Sequence, residues 1–143
     1  MLADLIIAPF GAAADVVKSN YPSKQWEGFS FKGLDNVKLA TLLSILSSGS
    51  PSIEYETWLD ALPMTGDSEG PWVFSLTDQA IKSLATIASK NEDAFEELAE
   101  LWHATDEFEG WLNADVTDLL EETGNLADTA ATKGMGLFLW VSL

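Results

Sequence analysis

The stretch LFLWVSL, residues 137–143, is the strongest indication of how this chain folds. Phe138, Leu139 and Trp140 follow one another without a polar residue between them. Short runs rich in aromatic and branched residues predict buried strands, and Gly136 stands just before this one. A strand without a polar face is typically covered on both sides. The sequence therefore predicts that residues 137–143 form a structural strand inside the molecule.

Three further stretches have the composition of strands. PWVFSL, residues 71–76, is short and apolar, and Pro71 is acceptable as the first residue of a strand. GFSFKG, residues 28–33, alternates along its length and predicts a third strand. LIIAP, residues 5–9, is an ambiguous fourth. Together with residues 137–143, these stretches predict a small sheet of two to four short strands.

Helical periodicity marks most of the remaining chain. Residues 35–48 begin with Asp35, a good N-cap, and carry apolar side chains almost all round, which predicts a buried central helix. Residues 78–89 repeat apolar side chains on one face only. Asn91 and Asn113 are candidate N-caps of two more helices.

The second of these two helices contains Gly124. Glycine weakens a helix by about 1 kcal/mol relative to alanine. The sequence is therefore compatible with a kink or a break of the helix at this position. Residues 64–71, MTGDSEGP, are small and polar and predict an exposed loop. The elements together predict an α+β, helix-rich fold in which about four or five helices pack on the small sheet.

The length and composition predict that residues 1–143 form a single globular domain. The chain is 47% hydrophobic and 21% charged, and it contains six tryptophans. A domain of this size buries roughly two-thirds of the surface that its unfolded chain exposes. This composition supplies ample material for such a core, so intrinsic disorder is not expected despite the high net charge.

The charge of the chain is strongly unbalanced. There are 23 acidic and seven basic residues, a formal net charge of −16, and all seven basic residues are lysines. Binding to nucleic acid needs a basic patch that displaces counterions, and no such patch can be assembled from this sequence. An anionic membrane surface would repel the protein for the same reason. We therefore expect no nucleic-acid partner and no membrane partner.

The absence of cysteine excludes disulfides, thiolate nucleophiles and thiolate metal sites. It fits a reducing compartment, so a cytoplasmic location is expected. The apolar start of the sequence lacks the positive charge of a signal peptide, has Asp4 in its place and is interrupted by Pro9. No stretch approaches the ~20 apolar residues of a membrane span.

His103 is the only histidine of the chain and the one candidate for site chemistry. Glu100 and His103 have the Glu-x-x-His spacing of di-iron helical bundles, but those sites need a second such pair. Helical geometry places His103 at the boundary of the apolar face, which favours a solvated, salt-bridged histidine over a metal ligand or a catalytic base. The sequence also lacks the nucleophile elbow and the glycine-rich phosphate loops. We therefore expect no metal and no cofactor, and enzyme activity is unsupported rather than excluded.

The acidic residues are concentrated in one part of the chain. Residues 92–128 contain thirteen acids and no lysine, whereas the remainder has ten acids and all seven lysines. Two helices of this segment would present one anionic surface if they packed side by side. Acidic helix faces often serve only to keep a protein soluble. The alternative is a docking surface that attracts a basic protein. The residues expected to form it are Glu96, Glu97, Glu100, Asp118 and Glu121, with Trp111 as the apolar anchor.

Three functions are compatible with these features. The leading hypothesis is a small, soluble interaction or accessory protein, of the inhibitor, immunity or adaptor kind, that binds a basic protein partner through its anionic helical face. The second is an enzyme or small-ligand-binding domain with a tryptophan-lined pocket that bears carboxylates. The third is a protein that forms homodimers with its tryptophans at the interface.

Overall fold

The computed structural model describes residues 2–63 and 71–142 and has an α+β architecture, as the sequence predicts. Within these residues there are five strands: β1 (Leu2–Ala8), β2 (Gly28–Lys32), β3 (Leu59–Ala61), β4 (Trp72–Leu76) and β5 (Gly136–Ser142). There are six helices: α1 (Ala13–Lys18), α2 (Pro22–Gln25), α3 (Asn36–Ser48), α4 (Asp78–Ala85), α5 (Glu92–His103) and α6 (Asn113–Lys133). Three 3-10 turns complete the backbone: Phe10–Ala12, Thr86–Ser89 and Asp106–Phe108. The loop predicted at residues 64–71 lies, except for Pro71, outside the described residues.

The strands form one antiparallel sheet in the order β2-β1-β5-β4-β3. Strand β5 lies at the centre and pairs with β1 along its whole length, from Leu2 opposite Ser142 to Ala8 opposite Gly136. On its other side it pairs with β4. The stretch with no polar face is therefore the central strand, hydrogen-bonded along both edges.

Both faces of the sheet are covered. Successive side chains of a strand point to opposite faces. Leu137, Leu139 and Val141 of β5 belong to a large core that includes buried residues of α3, α4, α5 and α6. Phe138 and Trp140 belong to a smaller core on the other face, together with Val16 of α1. The prediction that residues 137–143 are covered on both sides is confirmed for the described residues of the strand.

The sheet is larger than the two to four strands predicted. Residues 5–8 of the ambiguous stretch belong to β1, which begins at Leu2, ends at Ala8 and includes the buried Asp4; Pro9 lies outside the strand. A buried carboxylate interrupts an apolar strand pattern, and here it accepts a hydrogen bond from the Ser23 backbone N–H at 3.0 Å and from Ser30 Oγ at 2.6 Å. Strand β3 was not predicted because three residues are too few to show alternation.

The prediction of four or five helices is also too low. Helices α1 and α2 have six and four residues, which is too short for a helical period to be visible in the sequence. The segment predicted as one helix at residues 78–89 is α4 followed by the 3-10 turn Thr86–Ser89.

The N-terminal caps of the long helices agree with the sequence in two cases of three. The Asp35 side chain accepts a hydrogen bond from the Lys38 N–H at the start of α3, and Asn91 accepts one from the Ala94 N–H at the start of α5. Helix α3 is buried over the consecutive residues Lys38–Ile45, as expected of a central helix. The cap predicted at Asn113 is wrong, because this residue is the first of α6 and the preceding residue makes no side-chain cap bond.

Helix α6 runs without a break through Gly124. A Cβ atom built on this glycine would lie 2.7 Å from Ile87 Cγ2. Glycine at this position therefore allows α6 to approach the turn Thr86–Ser89 closely, rather than kinking the helix. A search of the helices in the described residues finds none whose length and hydropathy would let it cross a membrane.

Candidate functional site

The thirteen acids of residues 92–128 lie at the surface. Twelve are exposed, and Glu107 is half-buried. Leu98, Ala99 and Trp102 occupy the buried face of α5, so Glu96, Glu97 and Glu100 are left on the outside. On α6 the buried positions include Val116, Leu119 and Leu120, and Asp118 and Glu121 are exposed. All five carboxylates proposed from the sequence are therefore accessible to a partner. We refer to the exposed acids of α5 and α6 as the acidic surface.

Within the described residues, no lysine forms an ion pair with the acidic surface. The ion pairs found among the described residues are Lys38–Asp35 at 3.6 Å, Lys82–Asp78 at 2.9 Å and Lys133–Glu27 at 3.1 Å. Each of them uses an acid from outside residues 92–128. The three lysines that form ion pairs therefore pair with acids outside the acidic surface.

Helices α5 and α6 contact each other, and a groove of about 450 Å³ lies between them. Glu92 of α5 and Glu121 of α6 both line it, with Ile87 and Phe95 among its apolar residues. The fold therefore brings together carboxylates that are 29 positions apart in the sequence. Glu92 is not among the residues predicted from the sequence to form the surface, although it begins the same helix as Glu96. Lys90 also lines this groove and is the cation nearest in sequence to the acidic surface.

Trp111, the apolar anchor proposed from the sequence, packs within the chain itself. Its ring stacks on Phe31 at 5.9 Å between centroids and meets the Phe108 ring edge-on at 4.9 Å. Lys38 Nζ lies 5.4 Å from the centre of the Trp111 ring. At Gly33, which has a φ of +91°, a Cβ atom would lie 2.7 Å from Trp111 Cζ2. The half-buried indole therefore packs against the large core, with Phe31, Phe108 and Lys38 as neighbours.

His103 is half-buried at the end of α5. Its Nε2 atom lies 2.8 Å from the backbone carbonyl oxygen of Trp111, to which it donates a hydrogen bond. No ion pair between His103 and a carboxylate is found among the described residues, so the expected salt bridge is replaced by this backbone bond. The boundary position is as predicted, and the side chain ties the end of α5 to the segment that precedes α6.

A second groove lies on the other side of α5. It has a volume of about 680 Å³ and is formed by the end of α5, the turn Asp106–Phe108 and residues 51–54. Ile53 and Leu101 line it and are 64% and 46% exposed. Glu54 lines it as well and comes from outside the acidic segment. The sequence alone does not reveal this groove, because residues 51–54 have no regular structure and only the fold places them beside α5. The one feature of the sequence that points to this groove is Ile53, an isolated apolar residue in a polar stretch.

The chemistry that this region offers is that of carboxylates and exposed apolar side chains. Over residues 2–63 and 71–142, no group of three or more histidine, cysteine or acidic side chains is arranged to hold a metal ion. Comparisons of the chain with protein-family models, with curated proteins and with solved structures found no match.

Proposed function

We propose that this chain is an interaction or accessory protein whose acidic surface binds a basic protein partner. The observation that carries the proposal is the charge separation: thirteen acids in residues 92–128 have no lysine partner, whereas the ion pairs of the described residues lie elsewhere. Like charges four residues apart on a helix, as in the pairs Asp93/Glu97 and Glu96/Glu100, cost about 0.2–0.5 kcal/mol each in isolated helices. A positively charged partner relieves this repulsion.

The centre of the proposed surface is formed by five exposed carboxylates. They are Glu96, Glu97 and Glu100 on α5 and Asp118 and Glu121 on α6. Exposed ion pairs are individually worth about 0–1 kcal/mol, so affinity needs several of them together with an apolar contact. The collective field of the surface acts at longer range and raises the rate of association with a basic partner at low salt.

The alternative functions have less support. A homodimer held by tryptophans needs exposed indoles, but Trp58, Trp102 and Trp140 are buried, and the other three are half-buried. Among the described residues, a groove of about 410 Å³ near α1 and α2 is lined by Trp26 and Asp15 and resembles a tryptophan-lined pocket with carboxylates. Lys18 lies in the same groove, and only one tryptophan contributes. The acidic surface has the stronger physical argument for a partner, because its carboxylates repel one another and form no ion pair with a lysine among the described residues.

Affinity capture with three baits tests the proposal. The baits are the wild-type chain, the double variant Glu97→Lys/Glu100→Lys, and the control Asp15→Lys/Asp60→Lys. Both variants carry the same net charge, and all four substituted residues are exposed. The proposal expects a basic protein from the native cell extract that is retained by the wild type and the control, lost from the first variant, and eluted between about 0.05 and 0.5 M salt. Equal retention on all three baits, or retention that ignores salt, contradicts it.

A further inference from the structure

The groove on the far side of α5 leaves large apolar side chains in water. Ile53 and Leu101 are 64% and 46% exposed, and Pro51 and Ala104 extend the apolar lining. Exposed apolar area is unfavourable in proportion to its size, and an apolar groove of this kind is a typical binding feature. With a volume of about 680 Å³, the groove is large enough for a short segment of polypeptide rather than a single small side chain.

The charges around this groove have one sign. Glu54, Asp106 and Glu107 line it, and no lysine does. These three acids take no part in the ion pairs found among the described residues. Lys38 does not supply the missing charge, because its Nζ atom lies 3.6 Å from an Asp35 carboxylate oxygen and 5.5 and 5.4 Å from the ring centres of Phe108 and Trp111. An occupant that matches the groove must therefore carry both an apolar side chain and cationic groups.

We propose that this groove is the docking site for a segment of the partner in which lysine or arginine residues flank one large apolar side chain. The apolar side chain lies between Ile53 and Leu101, and the cations reach Glu54, Asp106 and Glu107. This inference rests on the proposed function and names the part of the partner that is recognised. It also supplies the apolar contact that the carboxylates need, in place of Trp111, whose ring packs within the chain.

The acidic surface and the groove are continuous along α5. Glu97 and Glu100 lie four residues before Leu101 and Ala104, so each stands one helical turn from a residue of the groove. A basic segment attracted to the acidic surface is thereby led to the apolar groove. Association with a second copy of this chain is disfavoured, because each copy carries a net charge of −16.

Two synthetic peptides test the inference without knowledge of the partner. They are a fluorescently labelled Lys-Lys-Leu-Lys-Lys and the matched Lys-Lys-Ser-Lys-Lys, which has the same charge. Their dissociation constants are measured by fluorescence anisotropy at about 0.15 M salt, where attraction between distant charges is largely screened. We expect the wild-type protein to bind the leucine peptide about tenfold more tightly, as burial of a large apolar side chain permits.

The variant Leu101→Ser should remove the preference for leucine. The control Leu112→Ser should keep it, because Leu112 is 70% exposed but does not line the groove. Both positions are exposed, so both variants should fold, which a melting curve checks. A preference that survives in Leu101→Ser, or that disappears in Leu112→Ser, overturns the inference.

The same measurements separate this inference from the proposed function. If both peptides bind the wild type equally and neither binds Glu97→Lys/Glu100→Lys, the result supports the acidic surface as a binding site and contradicts the proposal for the groove. If the leucine preference depends on Leu101 but the charge reversal changes the affinity of neither peptide, the result supports the groove as a binding site and contradicts the proposal for the acidic surface. If neither peptide binds, the inference about the groove is wrong, and the affinity capture with the three baits decides the proposed function separately.

Discussion

Gly124 shows how a single residue can mislead sequence reasoning about an element. Glycine is a poor helix former, so it suggests a break in α6, but the helix continues and the missing side chain makes room for Ile87. In an isolated helix, alanine at this position would add about 1 kcal/mol of stability. In this fold the added Cβ would meet Ile87 Cγ2 at 2.7 Å.

We therefore predict that Gly124→Ala destabilises the protein, in spite of the higher helix propensity of alanine. Overpacking of this kind costs about 1–3 kcal/mol in the free energy of unfolding. Urea denaturation measures the difference. The matched control is Gly11→Ala, since nothing lies within 4 Å of a Cβ at Gly11, and it should change stability little. A Gly124→Ala variant as stable as the wild type or more so would show that α6 does not pack on Ile87 as closely as described.

His103 is predicted to be a structural residue without metal affinity. Its hydrogen bond to the Trp111 carbonyl joins α5 to the segment before α6, so His103→Ala should lose about 0.5–1.5 kcal/mol of stability. Zinc added to the wild-type protein should leave the melting temperature unchanged. Stoichiometric stabilisation by zinc that disappears in His103→Ala would instead identify a metal site and revive the enzyme hypothesis.

At the scale of elements, length determines what the sequence reveals. The central strand β5, the strands β4 and β2 and the long helices α3 and α5 could all be predicted, because runs of this length show a clear pattern. Helices α1 and α2 and strand β3 could not be predicted, because they are too short to show a period. Strand β1 is only an ambiguous candidate in the sequence, because it contains a buried polar residue. In β1 the buried polar residue is Asp4. Its hydrogen bonds to Ser23 and Ser30 are contacts between distant parts of the chain, which a local sequence pattern does not show.

Part of the candidate site could likewise be predicted from the sequence, and part could not. That Glu96, Glu97 and Glu100 face outward follows from the helical period alone, because Leu98 and Trp102 fix the buried side of α5. The groove with Ile53 could not be predicted, since it exists only where an irregular segment lies against a helix about 50 residues further along the chain. The same holds for Trp111, whose ring packs on Phe31 from a distant strand.

Strand β5 is predicted to be indispensable to folding. It pairs with both β1 and β4, and its side chains enter both cores, so deletion of residues 137–143 should abolish the cooperative unfolding transition. Thermal unfolding followed by circular dichroism measures this. Where the truncated chain cannot be purified, Leu139→Ala, at a fully buried position, should cost about 2–5 kcal/mol. A truncated chain that kept the wild-type midpoint would contradict the central position of β5.

For the whole molecule, the distribution of charge makes a prediction about stability. The acids of α5 and α6 repel one another without a compensating lysine, and salt screens such repulsion. The melting temperature should therefore rise as salt increases from about 0.05 to 0.5 M. Glu97→Lys/Glu100→Lys should be at least as stable as the wild type at low salt and should gain less from added salt. A melting temperature that falls on this charge reversal would indicate that these acids make stabilising contacts of their own.

The central claim is that the acidic surface attracts a basic partner. The most direct measurement is the rate constant of association with the captured partner, determined by stopped-flow fluorescence at about 0.05 and 0.5 M salt. It is compared among the wild type, Glu97→Lys/Glu100→Lys and the equally charged control Asp15→Lys/Asp60→Lys. We predict that the wild type and the control associate at least about tenfold faster at the lower salt concentration, and that the first variant associates slowly at both. Equal rates for the two variants, or rates that do not respond to salt, would contradict the claim and leave these carboxylates as a solvated surface only.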